Sequence, residues 1–333
     1  MGKDITKKSN TLLDSHSSVK SNFYFKDRQG INIFTKKWYP PENQKIYGVI
    51  QIAHGMGETS DYYSEFSEQI SKSGFIVYIN EARGHGRTAG DISNPSYEIN
   101  AGYMGHDGIN WMVEDLNILT DIIKNQNPNL PIFLLGHSLG SVLAQIYAYK
   151  YGNNLNGIIY SGTTGPIEKS QIRKFIEIAN IEASNLGRKA PSVDAANAFF
   201  EHWNDQFQPS RTDYDWLTRD NDMLDETLNS PYAAINYKVG YYVDFFNSLI
   251  NLHEESFIDK IPKRLPVLSI SGSKDSFGNN GEGIIKLFQL YKKHGLEDTT
   301  YKIYENGRHE MLREINRNEV IEDIKNWLYD HIY

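Results

Sequence analysis

Short apolar runs of buried-strand length recur along this chain, separated by longer stretches whose apolar positions fall at helical spacing. Few architectures tolerate that alternation. The runs at 48–53, 74–80, 131–135, 157–160, 265–271 and 300–304 read as strands. The stretches at 62–73, 109–123, 141–150, 283–294 and 319–331 read as helices. In 109–123, for example, Trp111, Met112, Leu116, Leu119 and Ile123 share one face before Asn127-Pro128 closes the segment. Strands buried on both faces need helices on both sides, so the expected class is α/β with a mostly parallel central sheet flanked by helices. Two alternating strands, 21–26 and 31–39, open the chain around a turn at Asp27 to Gly30.

The alternation fails between 164 and 264, where helical patterns follow one another without a convincing buried strand. With 333 residues, and about 150 per domain as a prior, one large α/β unit carrying an insertion accounts for the length. The expected organisation is a polar tail over 1–20, an α/β core formed by 21–163 and 265–333, and a helical insertion over 164–264. Lys and Arg number 34 against 42 Asp and Glu, a net charge of −8. The insertion carries more than its share of that acidic excess. A nucleic-acid partner is therefore not expected. The absence of cysteine excludes disulfides, thiolate metal sites and a cysteine nucleophile. The first twenty residues contain no apolar stretch of secretion-signal type, and the apolar runs are far shorter than the roughly 20 residues that cross a bilayer. A cytoplasmic protein without stable membrane insertion is the expectation.

One pentapeptide stands out chemically. Gly136-His137-Ser138-Leu139-Gly140 follows a buried strand and precedes a helix. In that context the flanking glycines let strand and helix pack closely, and the serine is thrust out at the sheet's carboxyl edge as a candidate nucleophile. The helix that follows favours developing negative charge at its N-terminus, and the Leu139 amide can face an oxyanion. A serine needs a base, and the base an orienting group. Asp275 lies in Gly272-Ser273-Lys274-Asp275, just past the strand at 265–271, and is the expected orienter. His309 lies in Glu305-Asn306-Gly307-Arg308-His309, just past the strand at 300–304, and is the expected base. Asp298, in a polar turn, is the alternative orienter. His54-Gly55-Met56-Gly57-Glu58 after the strand at 48–53 supplies a flexible loop, with the Met56 amide as second oxyanion donor. Arg83-Gly84-His85-Gly86-Arg87 reads as a loop braced by side-chain hydrogen bonds. No paired histidines fit a metal, and Gly281-Glu282-Gly283 lacks the rest of a phosphate loop, so neither metal nor cofactor is expected.

With these residues assembled, the sequence resembles the α/β-hydrolase superfamily. Within it, the similarity is greatest to the group of monoacylglycerol lipases, bacterial lysophospholipase-like hydrolases and serine aminopeptidase-type hydrolases. The resemblance covers roughly residues 21–333 and rests on the five motifs around Gly55, Arg83, Ser138, Asp275 and His309-Glu310. Asp215-Trp216-Leu217-Thr218-Arg219-Asp220 further resembles a segment of the lysophospholipase-like branch. It implies a two-step serine hydrolase of carboxylic esters, with an acyl ester or lipid as substrate and the insertion as a cap over the site. Glu81, Ala82 and Ser273 depart from the group's usual residues and are expected to alter loop bracing only. An aminopeptidase using Glu201, Asp205, Asp220 or Asp222 to hold a substrate amine is the alternative, followed by a non-catalytic receptor. Aromatic residues such as Phe199, Phe200, Trp203 and Phe207 suit acyl chains, but the insertion holds 14 of 42 aromatics in about 30% of the chain, which is no marked enrichment. Its acidity leaves at most transient contact with anionic membranes.

Overall fold

The computed structural model describes residues 18–232 and 237–332, so the tail expected over 1–20 lies outside the described residues as far as Ser17. Among the described residues, eight strands form one sheet. They are β1 Val19–Lys26, β2 Asn32–Tyr39, β3 Gly48–Ala53, β4 Phe75–Asn80, β5 Ile132–His137, β6 Gly157–Ser161, β7 Val267–Gly272 and β8 Thr299–Tyr304. Their order across the sheet is β1-β2-β4-β3-β5-β6-β7-β8. The pairs β1·β2 and β2·β4 are antiparallel and all others are parallel. This is the mostly parallel α/β sheet expected from the sequence. β1 begins two residues before the expected strand, with Val19 opposite Tyr39.

Helices cover both faces. α1 Ser64–Lys72 follows β3, and α2 Gly86–Ala89, α3 Tyr97–Asn100 and α4 Gly108–Gln126 lie between β4 and β5. α5 Leu139–Tyr151 follows β5 directly. Between β6 and β7 the chain forms α6 Lys169–Leu186, α7 Asp194–Phe200, α8 Asn221–Asn229, α9 Val239–Leu249 and α10 Glu255–Ile258. α11 Glu282–Lys293 and α12 Arg317–Asp330 complete the layers.

Side chains alternate across each strand, so the continuous apolar runs split between two cores. Ile50, Ile52, Val77, Ile79, Leu135 and Ile159 pack with Phe66 and Ile70 of α1 and with Val320, Ile324 and Trp327 of α12. Val49, Ile76, Leu134, Ile158 and Val267 pack with Met112 and Leu116 of α4, Val142 and Ile146 of α5, and Leu287 of α11. Because β3, β5, β6, β7 and β8 all run the same way, their carboxyl ends share one edge of the sheet. The loops beginning at His54, Ser138, Ser273 and Glu305 therefore emerge together, at the edge where α/β folds gather their chemistry.

Candidate active site

Ser138 has φ 52° and ψ −118°, a region that side chains other than glycine rarely adopt. Such a conformation costs about 1–3 kcal/mol and persists only where its surroundings over-determine it. They do so here. A Cβ on Gly136 would lie 2.2 Å from the Gly140 carbonyl oxygen, and one on Gly140 would lie 1.9 Å from the Ala53 carbonyl oxygen. Only glycine allows strand, turn and helix to approach this closely. The Ser138 N–H donates to the Ser161 carbonyl at 3.0 Å, and the Ser138 carbonyl accepts from the Ser141 hydroxyl at 2.6 Å. Ser138 is half-buried between buried His137 and Leu139. α5 starts at Leu139, two residues before the expected helix, so the Leu139 N–H belongs to its first turn and has no intrahelical acceptor.

Asp275 and His309, on separate loops, come together: Nδ1 of His309 lies 2.8 Å from Oδ1 of Asp275. Both are buried, at 0% and 1% exposure. Their loops are zipped by main-chain bonds from Ser273 N–H to the Tyr304 carbonyl and from Lys274 N–H to the Gly307 carbonyl, each at 2.9 Å. Ser273, one of the departures noted in the sequence, accepts the Asn306 N–H on its hydroxyl at 2.8 Å, so it braces the two loops against each other. Burial opposes charge on the imidazole, but the Asp275 carboxylate and its hydrogen bond, helped by Glu310 and Glu58, outweigh it and hold the His309 pKa above its ordinary value. Nε2 of His309 is buried and makes no hydrogen bond among the described residues. The ring lies 5.0 Å from that of His137, the neighbour of Ser138. The structure thus joins Asp275 to His309 and sets His309 beside the serine turn, without a hydrogen bond between Ser138 and His309. Such bonds are often long before substrate binds.

Met56 is half-buried in a turn closed by Glu58 N–H to the Gly55 carbonyl, and Gly57 at φ 81° supplies the left-handed position that the turn needs. Glu58 anchors this loop, accepting Gly55 N–H at 2.6 Å and the Tyr63 hydroxyl on Oε2. Its Oε1 lies 3.4 Å from Nε2 of His137. Glu310, next to His309, accepts the Tyr62 hydroxyl at 2.9 Å. Burial raises the pKa of both carboxyls, and Glu58 adds to the rise at Glu310. Burial likewise drives His137 down to about 3, so its ring is neutral at physiological pH. A cavity of about 20 Å³ lies among Glu58, Tyr62, His137, Glu310 and Arg313. Glu58, His137 and Glu310 stand inside the sequence motifs, but the motifs by themselves gave them no role. Their adjacency to the motif centres was the signal available.

The remaining candidates separate by location. Asp298 pairs with His331 at 3.1 Å, away from His309. In the Arg83 loop, Arg83 bridges Asp115 at 2.7 Å and Asp27, while Glu81 accepts the Ser60 hydroxyl at 2.7 Å. Asp220 caps α8 through Asp222 N–H at 3.1 Å and pairs with Arg317 at 2.9 Å, whereas Glu201, Asp205 and Asp222 are exposed. The sequence also missed the aromatic wall around His309. Trp216, Trp203 and Phe277 lie 5.2, 6.0 and 6.1 Å from the imidazole, between ring centroids.

Comparison with known proteins bears on the family and the fold. Residues 44–316 match the family described as serine aminopeptidase, S33. The monoacylglycerol lipase of Mycolicibacterium smegmatis is 23% identical over 95% of this chain and 99% of its own. Human monoglyceride lipase is 23% identical over 90% of this chain and 87% of its own. Among solved structures, a thermostable carboxyl esterase from Bacillus coagulans superposes with a TM-score of 0.84 at 26% identity, covering 94% of this chain and 99% of that one. A soluble variant of the Saccharomyces cerevisiae monoglyceride lipase gives 0.73 at 19% identity, covering 96% and 98%, and so speaks for the fold alone. With most of its length matched and the serine turn, acid and histidine at one sheet edge, the chain belongs to the serine aminopeptidase S33 family of α/β-hydrolases.

Proposed function

We propose that this protein hydrolyses carboxylic esters, with monoacylglycerols, lysophospholipids or related esters of medium acyl chains as substrates. The observation that carries the reading is the buried Asp275–His309 contact at 2.8 Å, beside a serine held in a strained turn. Ser138 attacks the ester carbonyl while Nε2 of His309 takes its proton, and the amides of Met56 and Leu139 stabilise the oxyanion. Asp275 fixes the imidazole with Nε2 unprotonated and stabilises the charge that forms. The protonated imidazole then gives its proton to the departing alcohol. Water repeats the path on the acyl-enzyme, releasing the acid and restoring Ser138.

Residues 164–264 act in this reading as a cap, and Trp203, Phe199 and Phe200 offer apolar faces to an acyl chain. The names of the M. smegmatis and human relatives and of the B. coagulans esterase favour an ester over the amide that the family description suggests. The commitment of Asp220 to a helix cap and to Arg317 also removes one amine anchor from the aminopeptidase alternative. The test is a fluorophosphonate label followed by peptide mapping. Modification is expected at Ser138 alone and is lost in Ser138→Ala together with p-nitrophenyl ester hydrolysis. Labelling elsewhere, or an active Ser138→Ala, overturns the proposal. Faster turnover of amino-acyl arylamides than of acyl esters would favour the aminopeptidase.

A further inference from the structure

The segment from Trp203 to Arg219 touches both loops that carry the acid and the base. On the acid side, the Ser276 hydroxyl donates to the Trp203 carbonyl at 2.8 Å. The Gln206 amide reaches the Lys274 carbonyl at 3.1 Å, the Ser276 hydroxyl at 3.2 Å and the Asn280 side-chain oxygen at 3.1 Å. On the base side, two consecutive amides meet two consecutive carbonyls: His309 N–H donates to Trp216 at 3.3 Å and Glu310 N–H to Leu217 at 2.8 Å. The Arg308 guanidinium bridges the carbonyls of Thr218, at 3.0 Å, and Asp215, and lies 4.3 Å above the Phe207 ring. Buried Glu314 gathers the Arg308 N–H at 2.9 Å and the Arg219 N–H at 3.2 Å on one oxygen, and Arg219 Nε at 2.9 Å on the other.

Aromatic rings fill the space between these grips. Trp203 meets Trp216 edge-on at 4.6 Å and stacks on Phe277 at 5.5 Å, while Phe200 stacks on Trp216 at 5.9 Å. The β7–β8 side already zips the two loops together through Ser273 and Lys274. Residues 203–219 hold them through a separate set of contacts and cover the imidazole with an apolar wall, where a charge–charge contact is stronger than in water.

We propose that residues 203–219 form a positioning clamp for the Asp275–His309 pair, with Arg308 as its pin and Trp216 and Gln206 as its contacts. The inference rests on His309 being the base. In the Asp215-Trp216-Leu217-Thr218-Arg219-Asp220 motif, the main-chain carbonyls and the indole fix the histidine loop. Any opening of the inserted chain is then confined to residues outside the clamp, because lifting 203–219 would leave the acid and base loops held from the β7–β8 side alone.

The experiment compares Arg308→Met, Arg308→Lys and wild type by kcat and KM on a p-nitrophenyl ester, thermal unfolding and NMR of the imidazole Nδ1 proton. Arg308→Met, if folded, is expected to lose on the order of 10-fold to 100-fold in kcat with little change in KM, as for a misplacement of about 1 Å. The acid limb of kcat/KM moves to lower pH, because an imidazole parted from Asp275 binds its proton less tightly; Glu310, Glu58 and His137 also face the ring, but Asp275 is the largest of the influences that favour its proton. Arg308→Lys restores part of the loss by serving one carbonyl. A folded Arg308→Met with unchanged kcat, or with a raised KM alone, overturns the clamp. Should Arg308→Met fail to fold, exposed Gln206→Leu decides: a several-fold fall in kcat at constant KM supports the clamp and an unchanged kcat refutes it. If wild type hydrolyses no ester, the functional reading fails by itself. The clamp is then judged on the Nδ1 proton signal, which Arg308→Met weakens if the clamp holds and leaves intact if it does not.

Discussion

His309 gathers opposing influences at one ring. Burial disfavours its proton, while Asp275, Glu310 and Glu58 favour it, and the carboxylates prevail. In the proposed mechanism only the neutral imidazole takes a proton from Ser138, so activity is expected to fall as pH drops through the His309 pKa. The expected half-activity point of kcat/KM lies above about 6.5, the ordinary imidazole value. A pH profile with its acid limb below that value would contradict the assigned surroundings. Asp275→Asn removes the leading favourable charge and lets the side-chain NH2 donate to Nδ1, which favours the wrong tautomer, so the limb moves to lower pH and the plateau of kcat falls by roughly 10⁴. Steady-state kinetics across the acid limb measures both. Ser138, Asp275 and His309 were legible as candidates in the sequence because each lies at or just past the end of a strand, in a short glycine-containing stretch that announces a turn. Trp216 was not legible as their neighbour. It lies 93 residues before His309, and nothing local in the sequence says where such a segment docks.

Among the elements, the β5–α5 junction carries the tightest constraint. Gly140 has no room for a methyl group against the Ala53 carbonyl, and the obstacle is backbone rather than a flexible side-chain end. Gly140→Ala must therefore push α5 away from β3, disturbing the serine turn and the start of the His54 loop together. The expected cost is at least the upper end of the about 1–3 kcal/mol usual for overpacking. Urea unfolding measures it, and a variant of unchanged stability would show that the junction has slack. The strands of the sheet were legible because apolar runs of their length, bounded by glycine, proline or polar clusters, have few other uses. Their ends were less so. β5 runs on to His137 because Gly136 pairs with Ala53 and Tyr160, and His137 with Ser161, pairings set by neighbouring strands and not by propensity. Between β6 and β7 the sequence promised helices without their bounds, since the apolar residues there serve both the packing among α6, α7 and α9 and the wall around His309.

Across the whole molecule, charge and apolar exposure act against each other at a lipid surface. The chain carries −8 overall, weighted toward the segment between β6 and β7. That same segment exposes Ile181 at 55%, Leu186 at 59% and Val193 at 59%. Among the described residues no helix is long and apolar enough to cross a membrane. A few exposed aliphatic side chains contribute at most about 1.5–3 kcal/mol each when fully buried, less when they only dip into headgroups. Against an anionic bilayer, the acidic groups within a Debye length of about 8 Å oppose that gain at physiological ionic strength. The apolar contribution is common to both kinds of bilayer, so the sign of the surface charge sets the preference between them. The protein is expected to stay in the supernatant when spun with phosphatidylserine-rich vesicles at about 0.15 M salt, and to associate more with purely phosphatidylcholine vesicles. Raising the salt should narrow the difference by screening the repulsion while leaving the apolar contribution in place. Strong cosedimentation with the anionic vesicles at that salt would mean that a local basic or apolar patch overrides the net charge. Hydrolysis of a lipid ester presented in anionic vesicles should follow the same order, because a substrate in a bilayer is reached only as often as its surface is.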